Sequence, residues 1–120
     1  MSVYQAAHRR ACCAAITALG NRLGLYANTT RVGTAFGDTT WAAPVDLTEG
    51  GVDKAASTGS TVTITVPGGT VANGTVIDRY GVFNGTTLLR TEALPFTIVV
   101  NDGSQELKVD VTPTFKYRGE

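Results

Sequence analysis

Histidine, tryptophan and methionine occur once each in this chain of 120 residues, and cysteine only twice. A Ser-His-Asp triad would have to use His8, which lies beside Arg9 and Arg10. One histidine and two adjacent cysteines cannot make a zinc site of ordinary spacing. No nucleophile, base or ligand cluster stands out, so the expectation is no catalytic residue, no metal, no cofactor and no enzyme. Charge of one sign is also missing, because ten basic and ten acidic residues cancel. That removes the electrostatic drive toward a phosphate backbone or an anionic membrane, so neither nucleic acid nor membrane is expected as a partner. No segment approaches the run of about 18 apolar residues that a membrane span needs.

The cysteines, Cys12 and Cys13, are neighbours. On a helix, neighbours point about 100° apart and cannot easily bridge each other, so two small buried thiols are expected. The segment Ala11-Cys-Cys-Ala-Ala-Ile-Thr-Ala-Leu-Gly20 after two arginines imitates a secretion signal. Its mostly Ala and Cys composition makes a weak apolar region, and it reads as a helix instead.

What the chain does have is Thr (19), Gly (14), Ala (14) and Val (13), against eight Leu and four Ile. Small and β-branched side chains must therefore build the core, which favours strands joined by tight turns over a helical bundle. The one compositional break falls at Gly20. Before it, residues 2–19 read as a helix, with Ser2 and Gln5 as a capping box and Gly20 as the C-terminal stop. Val3, Ala7, Ala11, Ala15 and Leu19 recur every four residues along one narrow face. Such a helix is marginal alone and must dock on the rest of the chain or on a neighbouring subunit.

After Gly20 the period becomes two. Residues 23–27 suggest a first strand, 28–40 a loop, 41–47 a short extended piece and 48–59 a second loop. Val62, Ile64 and Val66 alternate with Thr61, Thr63 and Thr65, a half-buried strand closed by a Pro67-Gly-Gly turn. The next strand, 75–83, places Ile77 and Phe83 on one side and Val76 and Val82 on the other. Asn84-Gly85 supplies a type I′ turn into a returning strand, 86–91. Phe96, Ile98 and Val100 mark a further strand, Leu107, Val109 and Val111 another, and 114–118 a last one. About seven strands without intervening helices predict a mainly β fold: an antiparallel β-sandwich, jelly-roll or Ig-like, with one N-terminal α-helix. The domains are residues 1–20, an attachment or packing helix, and residues 21–120, the β-sandwich.

Two weaker signals remain. Asp46, Glu49 and Asp53 share one predicted loop but follow no calcium-binding pattern. Trp41 and Tyr80 are candidates for a glycan-stacking platform, although lone aromatics in a short domain usually belong to the core. Such a platform would make the chain a carbohydrate-binding module.

In order, the motifs are an Ala-rich N-terminal helix, Trp41-Ala-Ala-Pro44, Ser60-Thr-Val-Thr-Ile-Thr-Val-Pro67, Gly74-Thr-Val-Ile-Asp-Arg-Tyr-Gly81, Asn84-Gly-Thr-Thr-Leu-Leu89 and Leu107-Lys-Val-Asp-Val-Thr112. This series resembles the small virion proteins of tailed bacteriophages, often labelled tail fibre, minor tail or head decoration proteins. The resemblance runs over roughly residues 1–118 and rests on strand and turn patterns. It implies a multicopy structural protein located in the virion. Its partners would be other virion proteins, capsid or tail subunits, and copies of itself, with a host surface glycan as a further candidate. The candidate assembly contacts are Val3, Ala7, Ala11 and Leu19, together with the loops at 28–40 and 48–59.

Overall fold

The computed structural model describes residues 3–119. Helix α1 spans Ala6–Thr17. Ten strands follow: β1 (Arg22–Ala27), β2 (Thr30–Arg31), β3 (Gly37–Asp38), β4 (Val45–Glu49), β5 (Val52–Thr58), β6 (Val62–Val66), β7 (Val76–Asn84), β8 (Thr87–Val99), β9 (Leu107–Val111) and β10 (Thr114–Tyr117). The chain is mainly β, with antiparallel sheets and one N-terminal helix.

The strands form three sheets. One has the order β2-β1-β7-β8, with β3 also paired to β1; β6 and β9 form a two-stranded sheet; and β10-β5-β4 form a third. Alternation explains the first two. Ile64, Val66, Val109 and Val111 point inward from β6 and β9, and meet Leu23, Leu25, Ile77, Tyr80 and Val82 from β1 and β7 in one core cluster. Each such apolar side chain removed from water contributes roughly 1.5–3 kcal/mol. The outward residues of the same two strands are polar and linked across the ladder. Thr63 donates to Asp110 at 2.6 Å, and the Thr61 and Thr112 hydroxyls lie 2.7 Å apart.

Strict alternation fails in β7. Ile77 and Val82, expected on opposite sides, both enter the core, whereas Phe83 turns to the other face of the sheet. The pairing with β8 is irregular at the same place, between Ile77 and Arg79, and again between Val82 and Phe83. The extra residues lie in β8, which bulges against a bent β7. β8 runs unbroken through Pro95, where two strands were expected. Proline is tolerated there because β8 is an edge strand.

The turns also differ from expectation. In the β7–β8 hairpin Gly85 alone has a positive φ, 62°. A positive φ confined to the first central position is the type II′ pattern, not type I′. The two consecutive positive-φ residues of a type I′ turn occur instead at Gly50 and Gly51, between β4 and β5. The segment 48–59 is thus largely strand, not loop. Within 28–40, β2 and β3 each add two residues to the edge of β1.

The third sheet is covered by α1, which packs on β5, β10 and β4. Ala55 and Ser57 of β5 are buried on the face toward the helix, and their small side chains let it come close. Residues 1–20 and 21–120, drawn above as two domains, meet in this helix-on-sheet layer. The helix is shorter than expected, and the Ser2 cap lies outside the described residues. Gln5 is the N-cap residue, without a side-chain cap bond. Gly20 is no left-handed cap: a Cβ there would sit 2.3 Å from the Phe83 carbonyl oxygen, so the glycine serves a close approach to β7. The molecule measures 51 × 28 × 21 Å.

Ile64→Ala empties a fully enclosed site and is expected to lower stability by about 2–5 kcal/mol. Val76→Ala, at a position 44% exposed, is expected to cost under about 1 kcal/mol. Urea unfolding of the two variants measures the difference; equal losses would mean that β6 and β9 do not cover the core.

Candidate assembly surface

The residues that α1 turns inward are Ala6, Arg9, Arg10, Cys13, Ile16 and Thr17, spaced as one helical face. Cys13 is inaccessible to solvent, and Thr17 is buried and donates its hydroxyl to the Ala14 carbonyl. Arg10 is half-buried and donates to both carboxylate oxygens of Asp46, at 2.7 and 2.8 Å. The stripe expected to dock on this chain or on a neighbour faces outward. Ala7, Ala11 and Ala15 on the helix are exposed, as are Val3 before it (81%) and Leu19 after it (56%). The candidate assembly contacts Val3, Ala7, Ala11 and Leu19 therefore do not pack on this chain's own sheets. They lie on an outward, small-residue surface.

Trp41 and Tyr80 do not form a platform. The Tyr80 ring is 4% exposed within the core, and its hydroxyl oxygen accepts a hydrogen bond from the Thr114 amide at 3.2 Å. It offers no face to a sugar ring. Trp41 is half-buried, its indole N–H donates to the Gly20 carbonyl at 3.0 Å, and the Arg90 guanidinium lies 5.9 Å from its ring centroid. Both aromatics instead hold the junction between layers. Tyr80 ties β7 to the start of β10, and Arg90 of β8 lies 4.5 Å over Phe115 of β10. This cation–π seam joins the first sheet to the third. Composition gave no sign of it, because β8 and β10 are distant in sequence.

The outer face of the first sheet carries a second arginine seam. Arg31 donates to the carbonyls of Leu25, Val32 and Ala35 at 3.2, 2.8 and 2.8 Å. Its guanidinium lies 4.7 Å over Phe36 and 5.5 Å over Phe83. Gly24 leaves the space it needs, since a Cβ there would come within 2.7 Å of the guanidinium carbon. The segment 32–36 is thereby pinned across β1. Burial lowers the Arg31 pKa from its ordinary value. Asp46, Glu49 and Asp53 do not converge: Asp46 holds Arg10, Glu49 accepts from Lys54 and Lys116, and Asp53 accepts from Thr48. Among the described residues no three His, Cys, Asp or Glu side chains are placed to share a metal ion.

Both cysteines are free thiols, Cys13 buried and Cys12 half-buried. Burial pushes the Cys13 thiol up, and Arg90 offsets only part of that; a protonated, enclosed thiol is a poor nucleophile. His8 is exposed and stacks on Tyr4, with ring centroids 4.6 Å apart. No helix among the described residues is long and apolar enough to cross a membrane. Exposed apolar side chains also gather along β8 and its neighbour, at Val76, Leu88, Leu89, Phe96 and Val99. Compared with family models, curated proteins and solved structures, the chain finds no match.

Two tyrosines carry a pH dependence. Tyr117 is pushed up to about 12, first by its hydrogen bond with Cys12, then by burial and by Tyr4. Burial raises Tyr80, against the hydrogen bond from Thr114. A phenol whose folded pKa lies above its unfolded value keeps its proton in the native state while the unfolded chain loses it, so stability falls with rising pH. The unfolding midpoint is expected to hold below pH 10 and to drop progressively toward pH 12. Tyrosinate absorbance of the folded chain should show late titration that Tyr117→Phe removes in part; uniform titration near pH 10 would contradict both shifts.

Proposed function

We propose that this chain is a structural protein of a bacteriophage virion, a multicopy accessory component of decoration or fibre type on the capsid or tail. The observation that carries the reading is the outward stripe of α1. The helix already has a buried face, formed by Cys13, Ile16 and Thr17 against the third sheet. The second face, Ala7, Ala11 and Ala15 with Val3 and Leu19 at its ends, is apolar, exposed and made of small residues. Small side chains let another surface approach the helix backbone closely. Each contact is weak, but copies arranged by symmetry multiply it into avidity. The order of motifs that resembles small tailed-phage virion proteins supports the same reading. So does the absence of any strong charge imbalance, which leaves shape and apolar contact as the means of binding. The chemistry is mechanical: a stiff β-rich body holds a helix at one end, and the helix meets a neighbouring subunit.

The test uses substitutions, because truncating the helix would strip Cys13 and Thr17 from the third sheet. Ala7→Glu with Ala11→Glu places two charges on the outward face and is expected to change unfolding free energy by no more than about 1 kcal/mol in total. Quantitative mass spectrometry of purified particles is expected to count many copies of the wild-type chain. The double variant should be depleted by roughly tenfold or more, as when avidity is lost. One copy or none of the wild type per particle overturns the reading, and full incorporation of the double variant removes the helix from it.

A further inference from the structure

On the outer face of the first sheet, Tyr26, Asn28, Thr29, Arg79, Leu88 and Thr91 line a cleft of about 390 Å³, the size class of small-molecule sites. The register of the strands builds it. Tyr26 of β1 lies opposite Arg79 of β7, and Thr91 of β8 lies opposite Gly81. Gly81 leaves the room: a Cβ there would come within 2.7 Å of the Tyr26 ring and 2.8 Å of Leu88. Two polar groups in the cleft are left over by the fold. The side edge of the Arg79 guanidinium is used, Nε donating to the Thr91 hydroxyl at 3.3 Å and Nη2 to the Thr91 carbonyl at 3.2 Å. A guanidinium has five N–H donors. The end edge of this one, formed by Nη1 and Nη2, meets no acceptor among the described residues, and no carboxylate lines the cleft. Tyr26 is only 7% exposed, yet its hydroxyl takes part in no hydrogen bond among the described residues. On its other side Tyr26 pairs with Arg31, which donates to carbonyls and likewise has no carboxylate partner. Two arginines without ion pairs thus flank one buried phenol, in a chain whose net charge is zero.

We infer that this cleft binds an acidic sugar, a pyranose ring that carries a carboxylate. The carboxylate takes the open end edge of Arg79, whose paired N–H groups match two carboxylate oxygens. Arg31, across Tyr26, adds to a local field that favours an anion. The ring hydroxyls need partners that both donate and accept, and the Tyr26 and Thr29 hydroxyls and the Asn28 amide are such groups. Asp78 accepts from the Asn28 backbone N–H at 2.8 Å and so steadies the turn that carries Asn28 and Thr29. Leu88, 42% exposed, supplies an apolar wall for the C–H face of the ring. A neutral sugar leaves the guanidinium unmatched. A bare oxyanion matches it but uses neither the wall nor the hydroxyls. The site owes nothing to Trp41 and Tyr80, which belong to the layer junction.

The test is an NMR titration of the purified full chain with methyl glucuronide, methyl sialoside, methyl glucoside and inorganic phosphate. At least one of the two acidic sugars is expected to bind, with shifts centred on the amides of the six lining residues. The glucoside and phosphate should each bind roughly tenfold more weakly or not at all, as when a charge-assisted hydrogen bond or the ring contacts are lost. Arg79→Gln should weaken the acidic sugar by roughly tenfold or more, and Tyr26→Phe by several-fold. Tyr26→Phe keeps the ring and its packing, so it remains decisive if Arg79→Gln lowers stability. Thr97→Ala, outside the cleft, should bind as the wild type does. Circular dichroism confirms that each variant is folded. The inference is overturned if neither acidic sugar binds or if the shifts centre elsewhere. It is also overturned if the glucoside or phosphate binds as tightly, or if a folded Tyr26→Phe keeps full affinity. The site stands apart from the helix: loss of sugar binding leaves incorporation into particles intact, and failed incorporation leaves the cleft unchanged, so the two readings fail separately.

Discussion

Ile64, Val66, Val109 and Val111 lose nearly all contact with water only because Leu23, Leu25, Ile77 and Val82 lie across from them. Neither set can be buried alone. A two-stranded pair has one apolar face and no interior, and is marginal in water by itself. Among the described residues β6 and β9 form no ladder with the larger sheet, so side-chain contact holds the two layers together. The Thr and Asp residues on their other face fix which side turns inward, because a slip of one residue would bury the polar row. Everything else in the molecule is arranged around this pair of faces.

Small residues set the spacing of the remaining elements. Ala55 and Ser57 let α1 lie close to β5, and Gly20 lets the chain after the helix pass against Phe83. Such contacts bury little area each, and larger groups tie the layers at the junction. Tyr80 takes the Thr114 amide, Trp41 donates to the Gly20 carbonyl, and Arg90 lies over Phe115. Buried polar groups met in this way rigidify a junction that apolar area alone would hold loosely. Buried Ser57 and Thr39 follow the same rule, donating to the carbonyls of Ala42 and Ser60 at 2.7 Å each.

Two features with exposed apolar residues lie on the outside of the molecule. One feature is the outward face of α1 and the other is the edge of β8. The helix face is narrow and made mostly of alanine. The strand edge has exposed Leu88 and Leu89, and Arg79 donates to the Thr91 carbonyl and hydroxyl beside them.

The strands that alternate cleanly were legible in the sequence. β6 and β9 were found with the right inward residues, because period-two burial is a local property of consecutive side chains. The existence of the helix was legible for a similar reason, but not its orientation. Arg9 and Arg10 look like solvent residues, yet their aliphatic stems can lie along a buried face, and of the two docking partners expected for the stripe of Val3, Ala7, Ala11, Ala15 and Leu19 the chain's own sheets are not the one it meets. The bulges of β8 against β7, the exchange of turn types between Gly50-Gly51 and Asn84-Gly85, and the assignment of Trp41 and Tyr80 to the layer junction were decided by the tertiary structure. Each depends on which distant strand lies alongside, and the order of residues along one strand carries no information about its neighbour. Composition and alternation determined that this chain would be β-rich with a small-residue core; only packing decided which faces and edges were left for others.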